Sequence, residues 1–167
     1  MGQARRIWKH LTTPRRVVAR AFPDPVWQTV ESAVANVERL HDVELRVVAE
    51  AGLPLANLLQ GQTSRGRAIE LFTLLRVWDT EHNCGVLIYV QMADRKIEIV
   101  ADRGINARVA QAEWDRICGL IVAAFRGGNF EEGTIIGIRE ITELVRKHVP
   151  ARGYPPANEL PDRPLVV

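Results

Sequence analysis

The sequence predicts an α/β protein in which a small mixed sheet carries helices on both faces. First, residues 43–50 form a short Val- and Leu-rich run between polar residues, which is typical of a strand. Second, two β-branched runs, 86–92 and 96–100, are separated by only three residues and so predict a hairpin. Third, apolar residues recur at helical spacing before, between and after these strands. A helical crossover would then place the first strand parallel to the hairpin.

The composition indicates one globular domain. The 167 residues are 47% hydrophobic and 25% charged, which are ordinary proportions for such a domain. The apolar runs are far shorter than the roughly 20 residues that a membrane-spanning helix needs. Two cysteines are too few for a disulfide framework, and no secretory signal pattern is present near the start. We therefore expect a soluble, cytoplasmic protein.

The helices are predicted in order along the chain. Asp24 and Pro25 suit the start of a helix over about 25–40, with apolar residues at helical spacing behind them. After a polar loop, a second helix is expected over about 65–75. The first hairpin strand is almost wholly apolar, which predicts burial on both faces. Two further helices come after the hairpin, one ending near Gly127 and the other beginning after Asn129.

Charge divides the chain into segments. Residues 1–23 carry six basic and no acidic side chains, whereas the remainder carries 16 basic and 20 acidic ones. We divide the chain into a basic arm (1–24), a central domain (25–149) and a Pro-rich tail (150–167) that we expect to lie extended. The arm is predicted to form a short basic amphipathic helix that Pro14 interrupts. Its cations are Arg5, Arg6, Lys9, Arg15, Arg16 and Arg20.

Two interpretations of the basic arm stay open. Lys and Arg side chains near anionic lipid contribute about 1 kcal/mol each, so six of them could attach the chain to a membrane surface. Alternatively, the arm folds back onto its own domain and uses Trp8 and Phe22 as anchors.

Several catalytic and binding classes lack their motifs here. The sequence contains no phosphate-binding P-loop, no dinucleotide fingerprint and no nucleophile elbow. His82 and Cys84 have no second pair to complete a zinc site. The four tryptophans are expected to pack rather than to stack on bases, because no basic stripe accompanies them all. We therefore predict neither an organic cofactor nor nucleic-acid binding.

Oxygen-bearing side chains flank the predicted hairpin. Those before its first strand and after its second meet at one end, where they could bind Ca²⁺ or Mg²⁺. Asp94 lies in the turn at the opposite end and would belong to a separate site. The alternatives are that Asp94 only fills the turn and that Asp102 pairs with Arg103 or caps the next element of the chain. The candidate ligands at the first end are Asp79, Glu81, Asn83 and Asp102.

Arg103 and Gly104 come directly after the second hairpin strand. A backbone turn with a guanidinium could contact an anion or a partner. The alternative is an arginine that is simply solvated.

The hairpin and its flanks resemble the TPM domain family. The resemblance covers residues 26–148 and is closest to short bacterial members without a signal or membrane segment. It rests on the runs Asn83-Cys84-Gly85-Val86, Ala93-Asp94-Arg95 and Arg103-Gly104-Ile105, with Trp114, Ile117, Phe125, Gly128 and Gly133 behind them. The short members also share the Trp78–Glu81 run, the basic start and the Asn158–Asp162 tail.

The resemblance implies a three-layer α/β/α sandwich and, for some members, binding of a divalent cation and weak acid phosphatase activity. Asp94 matches the family's turn aspartate. Cys84 replaces a usual Asn, and Asp102 replaces the first glycine of a GxG turn, so a ligand is lost at one position and gained at the other.

The sequence supports two functions. The first is a TPM-like domain that binds a divalent cation and engages a protein partner or the inner membrane surface through residues 1–23. The second is a metal-dependent phosphatase in which a cation near Asp79, Glu81 and Asp102 polarises a phosphoryl oxygen. The sequence identifies no nucleophile for it.

Overall fold

The structure is a computed structural model that describes residues 2–41, 43–148 and 158–167. Eight helices and four strands are found in these ranges. They are α1 (Gln3–Thr12), α2 (Arg16–Ala21), α3 (Asp24–Glu38), β1 (Glu44–Glu50), α4 (Leu55–Leu59), α5 (Ser64–Leu74), β2 (Gly85–Gln91), β3 (Lys96–Ala101), α6 (Arg103–Asn106), α7 (Gln111–Arg126), α8 (Phe130–His148) and β4 (Leu165–Val166).

The strands form one mixed sheet in the order β3-β2-β1-β4. β1 pairs parallel with β2, from Glu44 opposite Gly85 to Glu50 opposite Gln91, and β2 pairs antiparallel with β3. The parallel pairing through a helical crossover and the hairpin are both confirmed.

Helices cover both faces of the sheet, which confirms the α/β/α sandwich. Alternate residues of β1 face opposite sides, so Val47 joins one core cluster and Val48 the other. α3, α7 and α8 cover the first face, and α5 covers the second. Every residue of β2 is buried, as predicted for a strand between two helical layers.

The end of the arm is tied to the first core cluster. Phe22 is buried and stacks on Trp27 with ring centroids 4.4 Å apart. Its ring also lies 5.9 Å from that of Phe125 and 5.6 Å from that of Phe130. As predicted, the chain leaves helical geometry around Pro14, between α1 and α2.

Three short elements differ from the sequence expectation. The loop before Ser64 contains α4, and the chain after β3 forms the single turn α6. The tail was expected to lie extended, and its end does so by pairing with the sheet, where Leu165–Val166 pairs with Val48 and Ala49 as β4. The preceding Pro-rich residues, 150–157, lie outside the described residues. Within the described ranges, no helix is long and apolar enough to cross a membrane.

Candidate functional site

α1 attaches to the domain through its polar side. Arg6 and His10 are four residues apart, so they lie on one face of the helix. The Arg6 guanidinium donates to both carboxylate oxygens of Asp94, with Nη2 2.9 Å from Oδ2. His10 Nε2 lies 3.1 Å from Asp94 Oδ1. The turn aspartate at the end of the β2–β3 hairpin therefore holds the amino-terminal helix.

The surroundings of Asp94 favour its carboxylate form. Burial alone would raise its pKa, but the hydrogen bonds and positive charge of Arg6 and the contact with His10 outweigh burial and hold the pKa below its usual range. Ser64 Oγ donates a further hydrogen bond at 3.2 Å. Arg6 and Ser64 thus donate to the oxygens of one side chain, and His10 Nε2 lies beside them without a well-aligned hydrogen bond.

His10 also determines where α1 packs on the domain. Its side chain is fully buried, and its Nδ1 accepts the backbone N–H of Leu53 at 2.9 Å. Gly52 lies against the same turn of the helix, because a Cβ built at Gly52 would come within 2.6 Å of the His10 carbonyl oxygen. Only a residue without a side chain permits this approach.

The apolar side of α1 faces away from the domain. Trp8 is 69% exposed and Leu11 is 56% exposed, while Ala4 is also exposed. The expectation that Trp8 anchors a folded-back arm was therefore wrong, although Phe22 does anchor it. An amphipathic helix ordinarily turns its apolar stripe toward a core, and α1 does the reverse.

α4 also carries exposed apolar side chains. It packs beside α1, and its Leu55 and Leu59 are 45% and 63% exposed, whereas Leu58 between them is buried. We call the exposed apolar side chains of α1 and α4 the α1–α4 surface; its members are Trp8, Leu11, Leu55 and Leu59.

Basic side chains accompany the α1–α4 surface. Arg5 is exposed and Lys9 half-buried on α1 itself, and Arg15, Arg16 and Arg20 are exposed on the following turn and α2. Residues 2–23 contain no acidic side chain that could neutralise them. Arg6 differs from the other cations because its charge is used on Asp94.

The predicted ligands at the opposite end of the hairpin are engaged with protein groups. Asp79 forms an exposed ion pair with Arg76 at 2.9 Å. The Glu81 side chain is exposed, and its backbone N–H donates to the carboxylate of Glu159. Asp79 and Glu81 thus lie on the surface.

Asn83, Asp102 and Arg103 do come together. Arg103 Nε donates to Asn83 Oδ1 at 2.9 Å, and Asp102 Oδ1 caps α6 by accepting the Arg103 backbone N–H at 2.6 Å. Asp102 therefore caps the next element of the chain, as one alternative expected. Gly104 lies against the Asn83 carbonyl, with 2.5 Å from its ideal Cβ position to that oxygen. Arg103 is thus used within the chain.

These donor sets do not fit a divalent cation in the observed arrangement. The oxygens of Asp94 face Arg6 and His10, and Asn83 Oδ1 faces the Arg103 guanidinium. Across the described ranges, no three His, Cys, Asp or Glu side chains converge as metal ligands. Cation binding by this chain stays a prediction.

A buried polar network, which the sequence did not predict, lies on the α5 face of the sheet near Asp94. Glu50 accepts from Tyr89 Oη and from Arg67, whose Nη2 is 2.9 Å from Oε1. Gln91 Nε2 donates to Tyr89 Oη at 3.0 Å, and Gln91 Oε1 accepts the Ala93 N–H at 2.8 Å. The network positions the turn that carries Asp94, because it hydrogen-bonds the residue immediately before it.

Comparison with known proteins gives the family. The family model described as "TPM domain" matches residues 18–144. The chain belongs to the TPM domain family. Among curated proteins, none matches this TPM domain. The match begins within α2, so α1 and the carboxy-terminal residues lie outside it.

Two solved structures resemble this TPM domain. The NMR structure of the BA42 protein from the psychrophilic bacterium Bizionia argentinensis is 27% identical, with a TM-score of 0.74, and the match covers 86% of this chain and 93% of that one. The NMR structure of the amino-terminal domain of a P. gingivalis protein is 15% identical, with a TM-score of 0.62 and coverage of 85% and 94%. The second likeness shows the fold alone.

Proposed function

We propose that this TPM domain attaches peripherally to an anionic membrane surface through the α1–α4 surface. The observation that carries the proposal is the inverted orientation of α1. Its polar side is held by Asp94, so the exposed Trp8 and Leu11 are presented on a helix fixed to the rigid domain.

The residue types suit the boundary between lipid headgroups and acyl chains. Tryptophan is enriched at this boundary, and helices that lie in it combine an apolar face with Lys and Arg. Fully burying a large apolar side chain is worth about 1.5–3 kcal/mol. Several such side chains together with the exposed cations of 5–20 supply enough free energy for reversible attachment.

Anionic lipid is favoured over a neutral surface because, within the described ranges, the cations of the arm other than Arg6 form no ion pair. We place the attachment at the inner membrane of a bacterium, as the basic arm and the family resemblance suggest. A protein partner with an acidic, apolar groove is the competing occupant and would not require a bilayer.

Vesicle co-sedimentation tests the proposal. The full chain should bind phosphatidylglycerol vesicles, bind phosphatidylcholine vesicles at least tenfold more weakly, and lose binding when Leu11→Ser and Leu59→Ser are combined. Leu40→Ser and Leu74→Ser are matched controls, because these leucines lie on other elements and are at least as exposed as Leu11 and Leu59. Equal losses in the control pair, or no binding to anionic vesicles, would contradict the proposal.

The second candidate, a metal-dependent acid phosphatase, comes from the family resemblance. Asp102 Oδ2 is the one local feature that favours chemistry there, since it is buried without a hydrogen-bond partner among the described residues. Calorimetric titration of the chelator-stripped protein with Ca²⁺ and Mg²⁺ tests cation binding. Phosphatase turnover that Asp102→Ala abolishes would support the enzyme, and turnover that survives Asp102→Ala with Asp79→Ala would indicate contamination.

A further inference from the structure

At the end of the sheet opposite Asp94, acidic side chains gather where the carboxy-terminal segment docks. This segment, residues 158–167, contacts the start of β1 and ends as β4, which pairs with β1. Glu44 Oε2 accepts the backbone N–H groups of both Glu159 and Leu160, at 3.2 and 2.9 Å. Leu160 is buried in the core cluster of the α5 face.

Glu38, at the carboxy-terminal end of α3, is buried as deeply as Glu44. Glu38 is 3% exposed, and its Oε1 accepts a hydrogen bond from the Leu45 N–H at 2.7 Å. Oε2 is buried and has no hydrogen-bond donor among the described residues. The Asp162 side chain lies within hydrogen-bonding reach of Glu38, and both residues line one cleft of about 490 Å³.

Two carboxylates cannot hydrogen-bond each other, since each has only acceptors when ionised. A contact between them needs a proton or a cation. No third acidic or histidine ligand converges on the pair among the described residues, which disfavours a metal. Arg46 is close to both acids, but its Nη1 donates to the carbonyl oxygens of Pro161 and Arg163 instead.

We propose that Glu38 and Asp162 share one proton, and that this proton fastens the segment 158–167 across the edge of β1. The segment is then docked at low and neutral pH and released in mild alkali. Release frees the backbone groups of Val48 and Ala49 that pair with β4, and so opens an edge of the sheet to another strand.

The neighbouring acids favour the protonated forms of this cluster, whereas Arg39 and Arg46 carry the opposite charge. Burial raises the pKa of Glu38 to about 9, with Glu44 and Asp162 raising it further and the Leu45 hydrogen bond opposing. Burial likewise raises the pKa of Glu44 to about 7, although the N–H groups of the tail oppose it. The charged or titratable groups facing the pair are Arg39 from α3 and Glu44 and Arg46 from β1, and Glu159 of the tail acts on Glu44.

These shifts determine the sign of the linkage. Carboxyl groups whose pKa is raised by docking take up protons when the tail docks. Docking is therefore strongest in acid and weakens as the pH rises above the ordinary pKa of 4.5. It stops weakening once the pH passes about 7 for Glu44 and about 9 for Glu38. For each linked proton, the docking constant falls by at most about tenfold per pH unit.

The experiment uses NMR on the full chain, with two readouts between pH 6 and 10. The first is the protection of the Val167 amide, which donates to the Ala49 carbonyl at 3.1 Å and lies away from the acidic cluster in sequence. The second is the side-chain carboxyl ¹³C shift of Glu38. We expect Val167 protection to fall by up to about tenfold per pH unit until the pH reaches the pKa of the Glu38 carboxyl, well above its ordinary range, and to level off beyond it.

Glu38→Gln is the decisive variant. Its amide can donate permanently to Asp162, so Val167 protection should lose most of its pH dependence while the other amide signals stay folded. Asp162→Asn is a second variant that donates from the tail, and exposed Glu143→Gln is the matched control with wild-type behaviour.

Three results would overturn the proposal. One is a Glu38 carboxyl that titrates below pH 6. Another is an unchanged Val167 profile in both Glu38→Gln and Asp162→Asn. The third is retention of the docked tail in alkali on adding 5 mM CaCl₂ to the wild type only, which would show that a cation joins the two acids.

Discussion

The two ends of the parallel β1–β2 pair each hold down a terminal segment, and they do so with opposite electrostatics. At the Asp94 end, one carboxylate meets the Arg6 guanidinium with His10 beside it, so opposite charge from Arg6 holds α1. At the Glu44 end, acids of α3 and β1 meet acids of the tail, and in our proposal protons reduce this like charge when the tail docks. The difference teaches that one small domain can carry two docking contacts with opposite responses to pH.

The two ends of the β1–β2 pair respond differently to low pH. Because the folded-state pKa of Asp94 lies below its usual value, its stabilisation is present above pH 4 and is lost as the pH falls through that lower pKa. The carboxyls of Glu38 and Glu44 have raised pKa values, so their end is favoured in acid. A pH scan should therefore loosen α1 at the acid limit and the tail at the alkaline limit.

The largest expected effect comes from removing Asp94. Asp94→Ala leaves Arg6 and the buried His10 without their shared acceptor, and should lower the free energy of unfolding by about 2–4 kcal/mol. Chemical denaturation measures this loss. The exposed Asp79→Ala is the control and should cost under about 0.5 kcal/mol. Equal costs for the two variants would show that Asp94 does not hold α1.

A second variant separates α1 from the domain without changing any charge. Gly52→Ala places a methyl group within 2.6 Å of the His10 carbonyl oxygen, so α1 must shift, at a cost of about 1–3 kcal/mol. Limited proteolysis should then cut within residues 2–15 first. Gly119→Ala is the control, because its Cβ would meet open space on α7. Unchanged proteolysis in Gly52→Ala would contradict the close approach.

Salt should act on the two ends in opposite directions by smaller amounts. Raising NaCl from 0.05 to 1 M screens the partly exposed Arg6–Asp94 pair and also screens the repulsion around Glu44. Amide protection should fall slightly along α1 and rise slightly at Val167, each by less than about 1 kcal/mol. If salt changed amide protection in the same direction along α1 and at Val167, the proposed difference in electrostatics between the two ends would be wrong.

The smallest effect on stability is expected at the α1–α4 surface. Trp8→Ser and Leu11→Ser change exposed side chains, so the free energy of unfolding should move by no more than about 0.5 kcal/mol. The same variants should weaken binding to anionic vesicles several-fold. A large loss of stability would mean that these side chains pack on the domain instead.

The framework of the fold was predictable because its signals are local. β-branched runs and short separations identified β1 and the hairpin, and helical spacing identified α3, α5, α7 and α8. β4 was not predictable, since two residues after Pro164 form a strand only because the edge of β1 is available.

The contacts that hold the two terminal segments could not be predicted from local sequence patterns either. Arg6 and Asp94 are separated by 88 positions, and no local sequence pattern around either residue indicates that the two are in contact. The spacing of Arg6 and His10 on one side of a helix that lacks acids was the one available hint. The prediction about Trp8 failed because it assumed that apolar side chains turn inward, whereas a charged contact determines the orientation of α1.

The central claim is that α1 presents its apolar side to a membrane while its polar side stays on the domain. Quenching of tryptophan fluorescence by vesicles of phosphatidylglycerol with brominated acyl chains tests this most directly. The wild type should lose fluorescence and shift to shorter wavelength, and Trp8→Phe should lose both responses while it still sediments with the vesicles. Equal quenching in Trp8→Phe, or no quenching in the wild type, would contradict the account.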